Sequence, residues 1–212
     1  PNFHTRKAKP IFTSSYKFFL QLKLKGKIMK IVVDLDQTLL DCTSKIYQIS
    51  NRFLSGRYKK KLNFNVIDPN EKPKKFLRIS SMQNADNYFE VENSVEVIKN
   101  WFNEGDEIIL LSSRPNFSSL NATILDWLGR FEMPYHRLIV HCSNKTLFCQ
   151  KENVDVLIDN TYNVCKHAAK HNVNVIFYNP YTNRDIEEAT TVKSWNEIAE
   201  CVNNLKQNKS LN

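Results

Sequence analysis

The sequence predicts an α/β fold: a parallel sheet with helices on both faces, and a small inserted cap after the first strand. Three observations carry that prediction. Short apolar, β-branched runs alternate with segments of helical period, as in chains built from strand–helix–strand units. The runs are continuous rather than alternating, as strands buried on both faces require. One interval of about fifty residues, from 42 to 90, breaks the rhythm and is too long for a crossover loop.

The elements follow in order. Ile31 to Leu35 is the first strand run, and Glu107 to Leu111, Arg137 to Val140, Val154 to Ile158 and Val173 to Tyr178 repeat its type. Asn93 is expected to cap a helix with Glu96 at its third position, with Val95, Ile98 and Phe102 as its apolar stripe and Gly105 as its stop. Leu120, Ile124 and Leu128 mark the next helix, ended by Gly129. Asn144 opens a third through Leu147 and Phe148, Thr161 a fourth through Val164 and Ala168, and Ser194 to Leu205 makes the closing helix. In the inserted interval Lys45 to Leu54 suits a helix, whereas Asp68-Pro69-Asn70 and Lys72-Pro73 read as turns. The organisation expected is a basic leader at 1–28, a core at 29–41 and 91–212, and a cap at 42–90.

Composition narrows the function classes. With 42% hydrophobic and 25% charged residues over 212 positions, the chain suits one folded domain with a modest insertion. No stretch approaches the roughly 18 apolar residues of a membrane span, so a membrane partner is not expected. Five cysteines without a CxxC pair suggest neither a disulfide framework nor a zinc ribbon, and fit a reducing, cytoplasmic setting.

The net charge of +8 lies entirely in residues 1–33, which hold eight basic residues and no acid. This leader shares its lack of acids with organellar transit peptides, but its lysines outnumber its arginine, so a dispensable basic extension is the expectation and organellar targeting the lesser alternative. Beyond it the charges cancel, but unevenly: Lys45 to Arg78 carries ten basic residues against Asp68 and Glu71, and the rest is acidic.

In a sheet of this topology ligands bind at the carboxyl ends of the strands, so the polar residues after each apolar run are the candidates. The first strand ends Asp34-Leu35-Asp36-Gln37-Thr38. Two ionised carboxylates at the end of a buried strand cost several kcal/mol without a cation or donors beside them, and so call for a metal or a lysine. The second run ends Ser112-Ser113-Arg114-Pro115, where a hydroxyl and backbone N–H groups could hold a phosphate oxygen. Asn144-Lys145 follows the third and Asp159-Asn160 ends the fourth. Taken singly, each of these last three is an ordinary loop.

Their order changes the reading. Asp-x-Asp-x-Thr, then Ser, then Lys, then Asp, each after a hydrophobic run, resembles the haloacid dehalogenase-like (HAD) phosphohydrolases, with their Rossmann-like core and a C1 cap inserted after the first motif. Leu110 to Pro115, Val156 to Asn160, Phe177 to Tyr181 and Ser194-Trp195 are most similar to the C-type 5′-nucleotidase and deoxyribonucleotidase branch.

The resemblance implies a phosphoric monoester hydrolase. Asp34 would be the nucleophile that forms an aspartyl-phosphate, and Asp36 the general acid and base. Ser112, Lys145 and Thr38 would bind the phosphate. Mg²⁺ would be held by Asp34, Asp36, Asp159 and the backbone carbonyl of Leu35. Gln37 stands where the family often has Gly, and Asn160 where this branch commonly has a second Asp, which implies weaker Mg²⁺ affinity. The substrate implied is a phosphorylated small molecule, in first place a nucleoside or deoxynucleoside monophosphate.

The basic cap would attract such a substrate, with one or two of Lys59, Lys60, Lys61, Lys72, Lys74 and Lys75 touching it and the rest solvated. Arg114 receives no role at this stage. Two other readings stay open: a sugar-phosphate or nucleic-acid-end phosphatase of the same superfamily, and a nucleic-acid-binding protein that uses its basic segments on an inert core.

Overall fold

The computed structural model describes residues 28–41, 89–114 and 118–211. The leader before residue 28 and the lysine-rich interval 42–88, Cys42 included, lie outside the described residues. Among the described residues the chain runs β1 (Lys30–Asp34), β2 (Leu40–Asp41), β3 (Phe89–Glu90), α1 (Ser94–Glu104), β4 (Glu107–Leu111), α2 (Ser118–Arg130), β5 (Arg137–Ile139), α3 (Lys145–Lys151), β6 (Val156–Asp159), α4 (Tyr162–Lys170), β7 (Val175–Tyr178), β8 (Thr190–Val192) and α5 (Trp195–Leu211).

Six strands form one parallel sheet in the order β5-β4-β1-β6-β7-β8. The chain builds outward from β1 in one direction through β4 and β5, then returns to the other side of β1 for β6, β7 and β8. The reversal opens a crevice between the loops that leave β1, β4 and β6, which is where a doubly wound sheet binds its ligand.

Side-chain alternation divides the core into two layers. Ile31 and Val33 of β1, with Ile108 and Leu110 of β4, pack beneath α1, α2 and α5 through Ile98, Trp101, Ile124, Trp127, Trp195 and Ile198. Val32, Ile109, Leu111 and Leu157 face the other way, against Cys149 of α3 and Cys165 and Ala168 of α4. Burial of each such aliphatic side chain is worth about 1.5–3 kcal/mol. Cys142, Cys149, Cys165 and Cys201 are free thiols, Cys149 and Cys165 buried and the other two half-buried.

β2 and β3 pair antiparallel as a short ribbon, Leu40 opposite Glu90 and Asp41 opposite Phe89. They are the two ends of the inserted interval, drawn together at its root. Neither was expected, because two residues are too few to carry a period. β8 was also not expected: only Val192 of its three residues is buried, so it presents no apolar run.

Asn93 does not cap α1 with its side chain. It adopts a left-handed conformation at φ 64° and makes no cap hydrogen bond, and its amide instead donates to Asn196 Oδ1 at 3.3 Å. Gly105 ends the helix as expected, at φ 99°, a region natural to glycine. The closing helix runs past Leu205 to Leu211 because its polar end finds partners: Lys206 pairs with Glu104 at 2.7 Å and with Asp106, and Lys209 pairs with Asp155.

Candidate active site

Asp34 is the last residue of β1, in register with Leu111 of β4, so Ser112 follows one position beyond it on the neighbouring strand. Asp159 ends β6, the neighbour on the other side. Lys145 is the first residue of α3, whose start is set by Asn144: the Asn144 Oδ1 accepts the Leu147 N–H at 2.9 Å. Three separate loops thus converge on the end of one strand.

The contacts are direct. Lys145 Nζ donates to Asp34 Oδ1 at 2.5 Å and to Asp159 Oδ2 at 2.6 Å. The other Asp159 oxygen accepts the Thr161 N–H at 2.7 Å. Thr38 Oγ1 lies 3.4 Å from Asp34 Oδ2. Asp34, Asp36, Thr38, Ser112, Lys145 and Asp159 are all buried. The structure therefore brings Asp34, Thr38, Lys145 and Asp159 into direct contact, four of the residues named from the sequence.

Burial, first of all, raises the Asp34 carboxyl from its ordinary 3.8 to about 7; Lys145 works against this, while Asp159 and Asp36 add to it. Lys145 loses basicity by burial but gains more from Asp159 and Asp34, so its ammonium is held charged well above the ordinary lysine range.

Ser112 is fixed by its backbone: its N–H donates to Ile139 O at 2.8 Å and its carbonyl accepts from Cys142 N–H at 2.9 Å. Its Oγ accepts the Arg114 N–H at 3.2 Å, which orients the hydroxyl and leaves its proton for an acceptor. Arg114, given no role from the sequence, forms a fork on Asp36: Nε donates to both carboxylate oxygens at 3.0 Å and Nη2 to Oδ1 at 2.5 Å. Sequence alone held no signal for this pair, since 78 positions separate its members.

Two expected metal ligands are engaged elsewhere. The Leu35 carbonyl accepts the N–H groups of Thr38, Leu39 and Leu40 at 3.4, 3.0 and 2.9 Å, which turns it into its own loop. The Asp36 carboxylate faces the Arg114 guanidinium, and a cation bound there would meet positive charge. Among the described residues no three His, Cys, Asp or Glu side chains are arranged to hold a metal. What does fit a hard cation is the pair Asp34 and Asp159, two carboxylates that share the single ammonium of Lys145. Mg²⁺ binds through one or two carboxylates and completes its shell with water and substrate phosphate.

The two departures from the family pattern touch each other. Asn160 Nδ2 donates to Gln37 Oε1 at 3.2 Å, a tie between the β1 and β6 loops. Gln37 sits at φ 60°, the left-handed region that favours the usual glycine. Trp195, seen in the sequence only as a mark of the branch, donates its indole N–H to Thr38 O at 2.8 Å and so ties the closing helix to the loop that carries both aspartates.

The profile of the family described as 5′ nucleotidase, deoxy (pyrimidine), cytosolic type C protein matches residues 27–208. Solved structures share the fold at low identity. A HAD-superfamily hydrolase from Ehrlichia chaffeensis is 11% identical with a TM-score of 0.54, over 84% of this chain and 98% of its own. A predicted phosphatase from Clostridium acetobutylicum is 15% identical with a TM-score of 0.56, over 84% and 100%. A protein described as a dehalogenase is 13% identical with a TM-score of 0.57, over 82% and 97%. No curated protein matches the sequence. The chain belongs to the family of 5′ nucleotidase, deoxy (pyrimidine), cytosolic type C proteins, phosphohydrolases on the HAD-like fold.

Proposed function

We propose that this protein is a Mg²⁺-dependent phosphomonoesterase that hydrolyses nucleoside or deoxynucleoside 5′-monophosphates through an aspartyl-phosphate. The observation that carries the reading is Lys145 bridging Asp34 and Asp159 at 2.5 and 2.6 Å, at the carboxyl end of the sheet. The family description, which names deoxypyrimidine nucleotides, supports a nucleotide substrate and a cytosolic setting.

In this reading a carboxylate oxygen of Asp34 attacks phosphorus in line, and the bond from phosphorus to the nucleoside 5′-oxygen breaks. Asp36 protonates that departing oxygen and then takes a proton from the water that hydrolyses the acyl-phosphate. Ser112 donates its hydroxyl proton to a phosphoryl oxygen, Thr38 borders the same space, and Lys145 opposes the charge of substrate and carboxylates together. Asp34 and Asp159 would hold Mg²⁺, which supplies positive charge for the phosphoryl oxygens. Burial of the group keeps water from the acyl-phosphate until the nucleoside has left.

The test is phosphate release in Mg²⁺ from nucleoside and deoxynucleoside 5′-monophosphates, sugar phosphates and a 3′-phosphorylated oligonucleotide, by wild type and Asp34→Asn in parallel. Wild type is expected to favour the 5′-monophosphates, and the variant to lose at least about 1000-fold in kcat. Turnover by Asp34→Asn near the wild-type rate would overturn the nucleophile. Preference for a sugar phosphate or the oligonucleotide would overturn the substrate. Absence of turnover, with salt-sensitive DNA or RNA binding that survives the substitution, would favour the binding protein.

A further inference from the structure

We propose that Arg114 is a positioning residue that aims the Asp36 carboxyl at the departing oxygen of the substrate. The proposal rests on the reading of Asp36 as general acid and adds a residue to that reaction.

Three contacts join the two side chains, Nε to both carboxylate oxygens at 3.0 Å and Nη2 to Oδ1 at 2.5 Å. The guanidinium side chain is 1% exposed and the carboxylate side chain 11%. A planar fork against a planar carboxylate fixes the plane and rotation of the acid, which a single ammonium contact cannot do. Asp36 needs such support, because it belongs to a turn rather than to β1: the strand ends at Asp34, and the next residue, Gln37, is left-handed at φ 60°.

Arg114 is itself held at its root, where its N–H donates to Ser112 Oγ at 3.2 Å. One short segment after β4 therefore presents a phosphate-binding hydroxyl and, two residues on, orients the proton donor. As the Asp34 oxygen bonds to phosphorus and the phosphorus–oxygen ester bond breaks, the proton leaves Asp36 for the ester oxygen. A carboxyl turned away would leave that oxygen to depart as an alkoxide.

The experiment compares a nucleoside 5′-monophosphate, whose leaving group needs the proton, with p-nitrophenyl phosphate, whose phenolate does not. Arg114→Ala, Arg114→Lys, Asp36→Asn and the double variant Asp36→Asn/Arg114→Ala are assayed in single turnover for the maximal rate of leaving-group release, a step that precedes the role of Asp36 as base, and for the concentration at half that rate. Arg114→Ala is expected to lower that rate on the nucleotide about 100-fold with the half-saturating concentration within about threefold, and to lower it on p-nitrophenyl phosphate by less than about tenfold. The double variant is expected to be no slower than Asp36→Asn. Arg114→Lys, which keeps the buried charge balanced, should show the same selective loss and carries the test if Arg114→Ala does not fold.

Equal losses in leaving-group release on both esters, or a raised half-saturating concentration with the maximal rate kept, would overturn the proposal in favour of a structural or substrate-binding arginine. Additive losses in the double variant would overturn it too. If Asp36→Asn slows both esters equally, the acid role of Asp36 is what fails; if Asp36→Asn is selective and the Arg114 variants are not, the positioning role fails alone.

Discussion

At the scale of single residues, the site is a cluster of carboxylates that the fold buries against its own interest. Asp34 titrates at about 7 in place of 3.8, chiefly because burial disfavours its charge. Its folded-state value lies above its unfolded one, so its contribution to stability is fully present below about pH 4 and is lost as the pH rises through about 7. In EDTA the melting temperature of wild type should therefore fall between about pH 4 and pH 7, and Asp34→Asn should flatten that fall while abolishing turnover. A wild-type profile no steeper than that of the variant, measured by thermal melts, would contradict this account. Legibility at this scale was uneven. Asp34, Asp36, Ser112, Lys145 and Asp159 stood out by their order, each after an apolar run, and by the family resemblance that order carries. Arg114 and the Gln37–Asn160 tie did not, because a contact between distant loops has no local pattern.

At the scale of elements, α3 shows how local chemistry serves the site. Seven residues are too few for a helix that stands alone, and its buried positions are Lys145, Thr146 and Cys149, while Leu147 is exposed. The Asn144 cap is thus a large share of what starts the helix, and the residue it starts with is the site lysine. Asn144→Ala should cost about 1 kcal/mol, a fall of about 2–4 °C in melting temperature. It should also lower kcat, since Lys145 leaves a frayed first turn. Calorimetry with steady-state kinetics would check both, and an unchanged kcat would detach the cap from the chemistry. The cap was readable from Asn144 alone. Asn93, the same residue type in the same expected role, is left-handed instead, and its side chain donates to Asn196 of α5.

At the scale of the molecule, the closing helix holds the turn that follows β1, across 157 positions of the chain. Trp195 is buried in the core beside Trp101, with ring centroids 6.0 Å apart, and its indole N–H reaches Thr38 O at 2.8 Å. Trp195→Phe keeps an aromatic ring in the core but leaves that carbonyl without its donor. It should cost about 1–3 kcal/mol and lower kcat through the loosened Asp34–Thr38 turn. Thermal denaturation and kcat measured together would check this, and a variant that melts lower but turns over normally would confine Trp195 to packing.

The sequence by itself determined five strands of the parallel sheet, the order of their polar ends and the residue types of the candidate site, because burial and capping act over a few neighbours and leave a local period. Tertiary structure alone decided which partners those residues take. The reversal of strand order around β1 brings Lys145 and Asp159 to Asp34, and the meeting of the β1 and β4 loops gives Asp36 its guanidinium. Such contacts depend on which loops the sheet sets side by side, and that is a property of topology, not of any stretch of chain.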